Sequence, residues 1–343
     1  MIMKAGRLQG TLKGTLIGIA LLLPVTVTPS GAGWAQGLAE TTYIAAWTIS
    51  GSQAYAYVGI GKGYYKEEGI ALKVARGFGS GDTAKRTGLA DGNVFGEADV
   101  SAMIKVRAEG VKVKAVGIIA ERNPLQVVSL KRFNVTNPKD LEGKTIAISP
   151  GGMEATQLLP FVQANGLDLN NITVMNMAPG PMSAAVSTGK VHAALLASTT
   201  ASVIIHGRKI EMNALDLEDH GVPVYSWAIV TRDELVERSQ GLVRGFVRAT
   251  YRAFLYQEGH PEEAIDILVR YHPELTDKQA ELYGLKAKAK VLFTETARQK
   301  GLGWMDEKKI RYTRDLITKA WKLKEVPVQD LYTNAFLPGL FPR

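Results

Sequence analysis

The sequence predicts an α/β protein of two lobes, each built on a mostly parallel sheet flanked by helices. Three observations carry this. Short β-rich runs alternate with helical stretches, glycines stand where the helices would stop, and from about Leu235 onward the strands give way to helices alone. The length of 343 residues suits about two domains, and 46% hydrophobic with 22% charged residues is enough for sizeable cores. Disorder, collagen and coiled coil are excluded.

The first 35 residues read as an export signal. Lys4, Arg7 and Lys13 form a basic leader without an acid, Thr15 to Val27 is a largely apolar run broken by Pro24, and Gly33-Trp34-Ala35 offers a small-x-small cleavage site. The apolar run is too short for a membrane span, which needs about 20 residues. Cleavage after Ala35 would leave a periplasmic protein and lower the net charge from +8 to +5. Lys286, Lys288 and Lys290 read as a solvated helix face, so nucleic acid is not expected as a partner. Cysteine is absent. That removes disulfides, thiol nucleophiles, Cys-ligated metals and a lipidated N-terminal Cys.

In chain order, strands are expected at 43–47, 70–75, a short 94–96, 113–119, 144–149, 172–177 and 192–197, with helices at 53–68, 82–89, 154–165 and 181–188. Two extended segments, 126–130 and 224–231, read as paired crossover strands. Residues 36–130 with 225–343 would then form one lobe and 131–224 the other, with helices at 241–257, 261–271, 277–289 and 306–322 covering the first. A cleft should separate the lobes, its walls made by loops after the strand ends.

Those loops supply the candidate ligand-binding residues. After the first strand come Trp47, Ser50, Ser52 and Gln53; Trp47 suits either a core or a stacking role, and Ser52 either a helix cap or a ligand contact. Gly79, Ser80 and Gly81 precede Asp82, where backbone can approach a ligand, while Asp82 is equally a cap. Glu97 and Asp99 stand beside the cleft, Asp99 either meeting a ligand N–H or capping the next helix, and Arg122 either meets an anion or pairs with an acid. In the second lobe Gly151, Gly152 and Met153 open a helix ahead of Glu154, without the Lys-Ser/Thr of a P-loop or a dinucleotide fingerprint. No cofactor is expected. The five histidines, at 192, 206, 220, 260 and 272, lack metal-ligand spacing, and His192 reads as a satisfied core histidine. With no Gly-x-Ser-x-Gly elbow either, binding is favoured over catalysis.

Several stretches together carry a family resemblance: Gly63-Tyr64-Tyr65-Lys66-Glu67-Glu68-Gly69, Gly79-Ser80-Gly81-Asp82, Phe95-Gly96-Glu97-Ala98-Asp99, Asp140 to Thr145 through Pro150-Gly151-Gly152, Ser187 to Ala194, and His260 to Ala264. The chain resembles solute-binding proteins of ATP-driven importers for nitrate, sulfonates and taurine, with relatives that bind thiamine-precursor pyrimidines. It departs from them at Val94, where the family usually has Asp, and is one residue short near Gly92. The resemblance implies a type II periplasmic-binding-protein fold and a monomer that closes over one small molecule and presents it to the permease and ATPase of an importer. The expected ligand is a small organic anion or zwitterion. Backbone N–H groups of 79–81 and 151–153 would hold its oxyanion, Trp47 and Trp227 would stack on any planar part, and Asp99 would meet a donor. A pyrimidine or other aromatic heterocycle is the alternative. An enzyme on the same fold, a lyase or pyrimidine synthase, is the alternative of another class, disfavoured because the pyrimidine-synthesising relatives carry a Cys-rich signature.

Overall fold

A computed structural model describes residues 37–339 and the isolated Gly10; the expected export signal and its cleavage after Ala35 lie outside the described residues. Two mixed five-stranded sheets organise the chain. The first contains β1 (Ala39–Ile44), β2 (Ile70–Ala75), β3 (Asn93–Asp99), β4 (Val113–Ile118) and β10 (Trp227–Arg232) in the order β2-β1-β3-β10-β4. The second contains β5 (Leu125–Leu130), β6 (Thr145–Ile148), β7 (Thr173–Asn176), β8 (Ala193–Ala197) and β9 (Met212–Asp216) in the order β7-β6-β8-β5-β9. In each sheet one strand runs against its neighbours: β10 is antiparallel to β3 and β4, and β5 to β8 and β9.

This pairing corrects one expectation. The segment around 126–130 was expected in the first lobe, yet β5 is hydrogen-bonded between β8 and β9 of the second sheet. Nor do the two crossover segments pair with each other. The chain passes between sheets through 119–124 and returns through 217–226.

Helices cover both sheets: α1 (Ala54–Gly61), α2 (Tyr64–Glu67), α3 (Ser80–Leu89), α4 (Val100–Ala108), α5 (Met153–Ala164), α6 (Pro179–Thr188) and α7 (Ser198–Ser202), the last running into a π-helical turn, Val203–Gly207. The single helix expected over 53–68 is broken at Gly63, whose φ of 78° is a left-handed conformation that glycine adopts without a Cβ clash. The C-terminal part is helical: α8 (Asp233–Arg238), α9 (Gln240–Gly259), α10 (Pro261–Tyr271), α11 (Lys278–Leu292), α12 (Glu295–Lys300) and α13 (Glu307–Trp321). These helices bridge as well as cover. Helix α9 packs on α1 and α2, whereas α11 also meets α7 and the π-helical turn, and α13 lies against both α4 and α5.

The first core is aromatic. Phe246 of α9 stacks on Phe95 of β3 with ring centroids 3.9 Å apart, and Tyr43 and Tyr65 flank it. At Gly96 a Cβ would come within 2.8 Å of Thr83 Cγ2, so the missing side chain is what lets α3 lie close on the sheet.

Candidate functional site

A cavity of about 460 Å³ lies between the two sheets, inside the size range of pockets that bury a small ligand. The first half contributes the loop after β1, with Trp47, Ser50 and Gln53, and also Ser80, Glu97 and Trp227. The second half contributes Met153 and Glu154 at the start of α5, Ser183 and Ala184 of α6, and Thr199 and Thr200 of α7. Arg208, after the π-helical turn, and Glu281 of α11 complete the wall.

Of the residues expected to bind ligand, Trp47, Ser50, Gln53, Ser80, Met153 and Trp227 line this one cavity. The Ser50 and Ser52 hydroxyls both donate to Gln53 Oε1, at 3.2 and 2.8 Å, so the amide turns its NH₂ end toward any ligand.

Gly79, Gly81, Gly151, Gly152 and Asp99 do not line it, and the N–H groups of Gly79, Gly81 and Gly152 are engaged elsewhere. Gly79 N–H donates to Ala46 O at 3.0 Å, Gly81 N–H to Gly151 O at 2.9 Å, and Gly152 N–H to Ser149 O at 3.1 Å. Three of the six N–H groups of the expected oxyanion cradle are thus engaged elsewhere, and the Gly81–Gly151 bond joins the two glycine loops as a backbone latch across the cleft. A Cβ on Gly79 would stand 2.7 Å from Gly152 N and closer still to Gly151 O, at a φ of 123° that a side chain rarely tolerates. Gly79→Ala is accordingly expected to hold the halves apart, weakening ligand binding at least about tenfold. Small-angle scattering checks this: a liganded variant as compact as the wild type would count against the latch.

Asp99 is fully buried and caps α4. Its Oδ1 accepts from Ala102 N–H at 3.0 Å and from the Ser101 hydroxyl, and Oδ2 accepts from Gln157 Nε2 at 3.1 Å. Asp82 is not a cap; it sits in the first turn of α3 and pairs with Arg86 at 3.4 Å. Arg122, largely exposed, pairs with Glu218 at 3.2 Å. His192 Nδ1 accepts from Thr145 N–H at 3.0 Å, a satisfied structural histidine.

The buried partner of Glu97 was not foreseen. Lys288, expected on a solvated face, is fully buried and forms an ion pair with the equally buried Glu97. Glu97 also accepts from the Tyr55 hydroxyl at 2.6 Å, and Lys288 Nζ stands 4.5 Å from the centroid of the Trp227 ring. Burial draws the Lys288 ammonium below its usual range, against the pull of Glu97. Glu281 accepts from Gly51 N–H at 2.6 Å and is raised by burial. Burial raises Glu154 to about 8. Carboxyl groups thus surround a space with one guanidinium, Arg208, in its lining.

Two sheets with one reversed strand each and a cavity between them define a periplasmic-binding-protein fold. The alkanesulfonate-binding protein SsuA from Xanthomonas axonopodis pv. citri, solved bound to MOPS, superposes with a TM-score of 0.69 at 14% identity, over 87% of this chain and 99% of that one. The chain belongs to the NMT1/THI5-like family, which it matches over residues 52–264. Among curated relatives, it is 30% identical to the riboflavin-binding protein RibY of Chloroflexus aurantiacus, over 82% of each chain. It is 24% identical to the 4-amino-5-hydroxymethyl-2-methylpyrimidine phosphate synthase of Legionella pneumophila, over 80% of this chain and 85% of that one.

Proposed function

We propose that this protein is an exported solute receptor of an ATP-driven importer, closing by a hinge over a small planar nitrogen heterocycle and delivering it to the permease. The observation that carries this reading is the chemistry of the cavity. Two tryptophans offer ring faces, while Glu97, Glu154 and Glu281 line the space against one arginine. A sulfonate or carboxylate would find Arg208 as the one cation in the lining, beside Glu281, with the N–H groups of Gly79, Gly81 and Gly152 already engaged. A heterocycle with N–H donors and a π face meets complementary partners. Two relatives named for riboflavin and for a methylpyrimidine support the same class.

Capture without turnover is favoured over synthesis by the 30% identity to a relative named as a binding protein, against 24% to one named as a synthase. The basic, apolar leader supports delivery to the periplasm.

A thermal-shift and calorimetric panel tests the reading, using residues 36–343 with riboflavin, 4-amino-5-hydroxymethyl-2-methylpyrimidine, taurine, alkanesulfonates and nitrate. A heterocycle at about 100 times its Kd should stabilise the fold by about 2.7 kcal/mol and emerge from incubation chemically unchanged. Trp47→Ala should weaken that binding about tenfold with little change in the unliganded melting temperature, since Trp47 is only half-buried. Stabilisation by sulfonates alone would overturn the assignment of ligand class, and consumption of the heterocycle would overturn the assignment as a receptor.

A further inference from the structure

One cavity residue has an unsatisfied oxygen. Glu154 stands in the first turn of α5, is 3% exposed and lines the cavity, and its Oε2 has no hydrogen-bond partner among the described residues. Its acidic neighbours are all partnered: Glu97 by Lys288 and Tyr55, Asp99 by Ser101, Ala102 and Gln157, and Glu281 by Gly51. Buried polar atoms without partners are rare in folded proteins, and one on a side chain that lines a binding cavity is a candidate ligand contact.

We propose that Glu154 selects the ligand by donating a hydrogen bond from its protonated carboxyl group to an acceptor on the heterocycle, a ring nitrogen or ring carbonyl oxygen. This rests on the heterocycle reading given above and adds the edge chemistry the ring must present.

The electrostatics agree with a neutral acid. Burial pushes the carboxyl up to about 8; its own backbone N–H works against this and the charge of Asp99, at the β3–α4 junction, adds to it. The other ionisable groups around the cavity are Glu97 with its partner Lys288, Glu281 and Arg208. At neutral pH Glu154 therefore holds its proton and offers an O–H where an ionised carboxylate would only accept.

The test titrates wild type, Glu154→Gln and Glu154→Ala with riboflavin by flavin fluorescence and with 4-amino-5-hydroxymethyl-2-methylpyrimidine by calorimetry, at pH 6, 7, 8 and 9. Glutamine keeps an N–H donor and cannot ionise. Wild-type affinity should fall about tenfold between pH 7 and pH 9, as the donor is lost above about pH 8, while the glutamine variant stays within about threefold of wild type at pH 6 and is flat across the range. The alanine variant should lose at least about tenfold at pH 6. A wild-type affinity that is flat or rises with pH, or a glutamine variant as weak as the alanine one, would overturn the donor role while leaving the heterocycle reading intact. Failure of the wild type to bind either probe would overturn both.

Discussion

Replacing Lys288 with methionine is expected to destabilise the fold by about 3–5 kcal/mol, because it leaves the carboxylate of Glu97 buried without its counter-charge. Both side chains of this pair are fully buried. The neighbouring Tyr55 hydroxyl donates one hydrogen bond to Glu97, which does not replace an ammonium ion. For a chain of this size the loss corresponds to a melting-temperature drop on the order of 10 °C. The double variant Glu97→Gln/Lys288→Met removes both charges while keeping a carbonyl acceptor for Tyr55, and should recover most of the lost stability, as buried ion pairs replaced by neutral groups often do. Urea denaturation of the three proteins separates the cases. A single variant within about 1 kcal/mol of wild type would mean that the pair contributes little to stability. Because Lys288 also lies over Trp227, the single variant should weaken ligand binding too.

The misplacement of Lys288 from sequence has a simple geometric cause. In Ala287-Lys288-Ala289-Lys290 the alternation suggests a charged face, but residues two apart on a helix point to opposite sides, and only Lys286 and Lys290, four apart, share one. Lys286 is half-exposed beside Glu262, while Lys288 turns inward. The strands β6 and β8 were legible because their buried runs are β-branched or apolar and end at a serine, and β2 and β4 because each is an apolar, β-branched run broken by a single lysine. Strand β1 begins four residues earlier than expected: Glu40, Thr41 and Thr42 read as loop, yet all three pair in register with β2. Strand β9 was missed because Met-Asn-Ala-Leu-Asp at a sheet edge is mostly unburied and carries no clear alternation. Within the site, Trp47, Ser50 and Gln53 were legible from their place after a strand. Glu281 and Arg208 were not, since Glu281 lies on an expected covering helix, 277–289, and Arg208 in a stretch to which the sequence assigned no element. The glycine loops were recognised as sites of close backbone approach but assigned the wrong partner, each other's backbone being what they approach.

The unliganded protein is expected to lose stability as pH rises from about 5 to about 8, and Glu154→Gln to abolish the part of that loss that Glu154 causes. The sign follows from proton counting. The folded carboxyl is raised to about 8 from an ordinary 4.5, so across that interval the folded state keeps a proton the unfolded state has released, and its stability is full below about pH 4.5 and declines toward pH 8. The complete loss is on the order of 5 kcal/mol. Asp99 and Glu281, also raised, contribute in the same direction, and Asp140, Glu263, Glu274 and Glu295, all lowered, contribute in the opposite one. Comparing wild type with Glu154→Gln at each pH cancels all of these. The two proteins should lie within about 1 kcal/mol of each other at pH 5, with the glutamine variant the more stable by a few kcal/mol at pH 8.5. Urea denaturation at pH 5, 7 and 8.5 measures the difference, and parallel profiles would mean that Glu154 ionises in the folded state as it does in water. A bound acceptor would hold the Glu154 proton in place, so saturating heterocycle should extend the wild-type decline beyond about pH 8, where the unliganded profile levels off. The ligand and the proton then stabilise one closed state together, and a rise in pH weakens both at once.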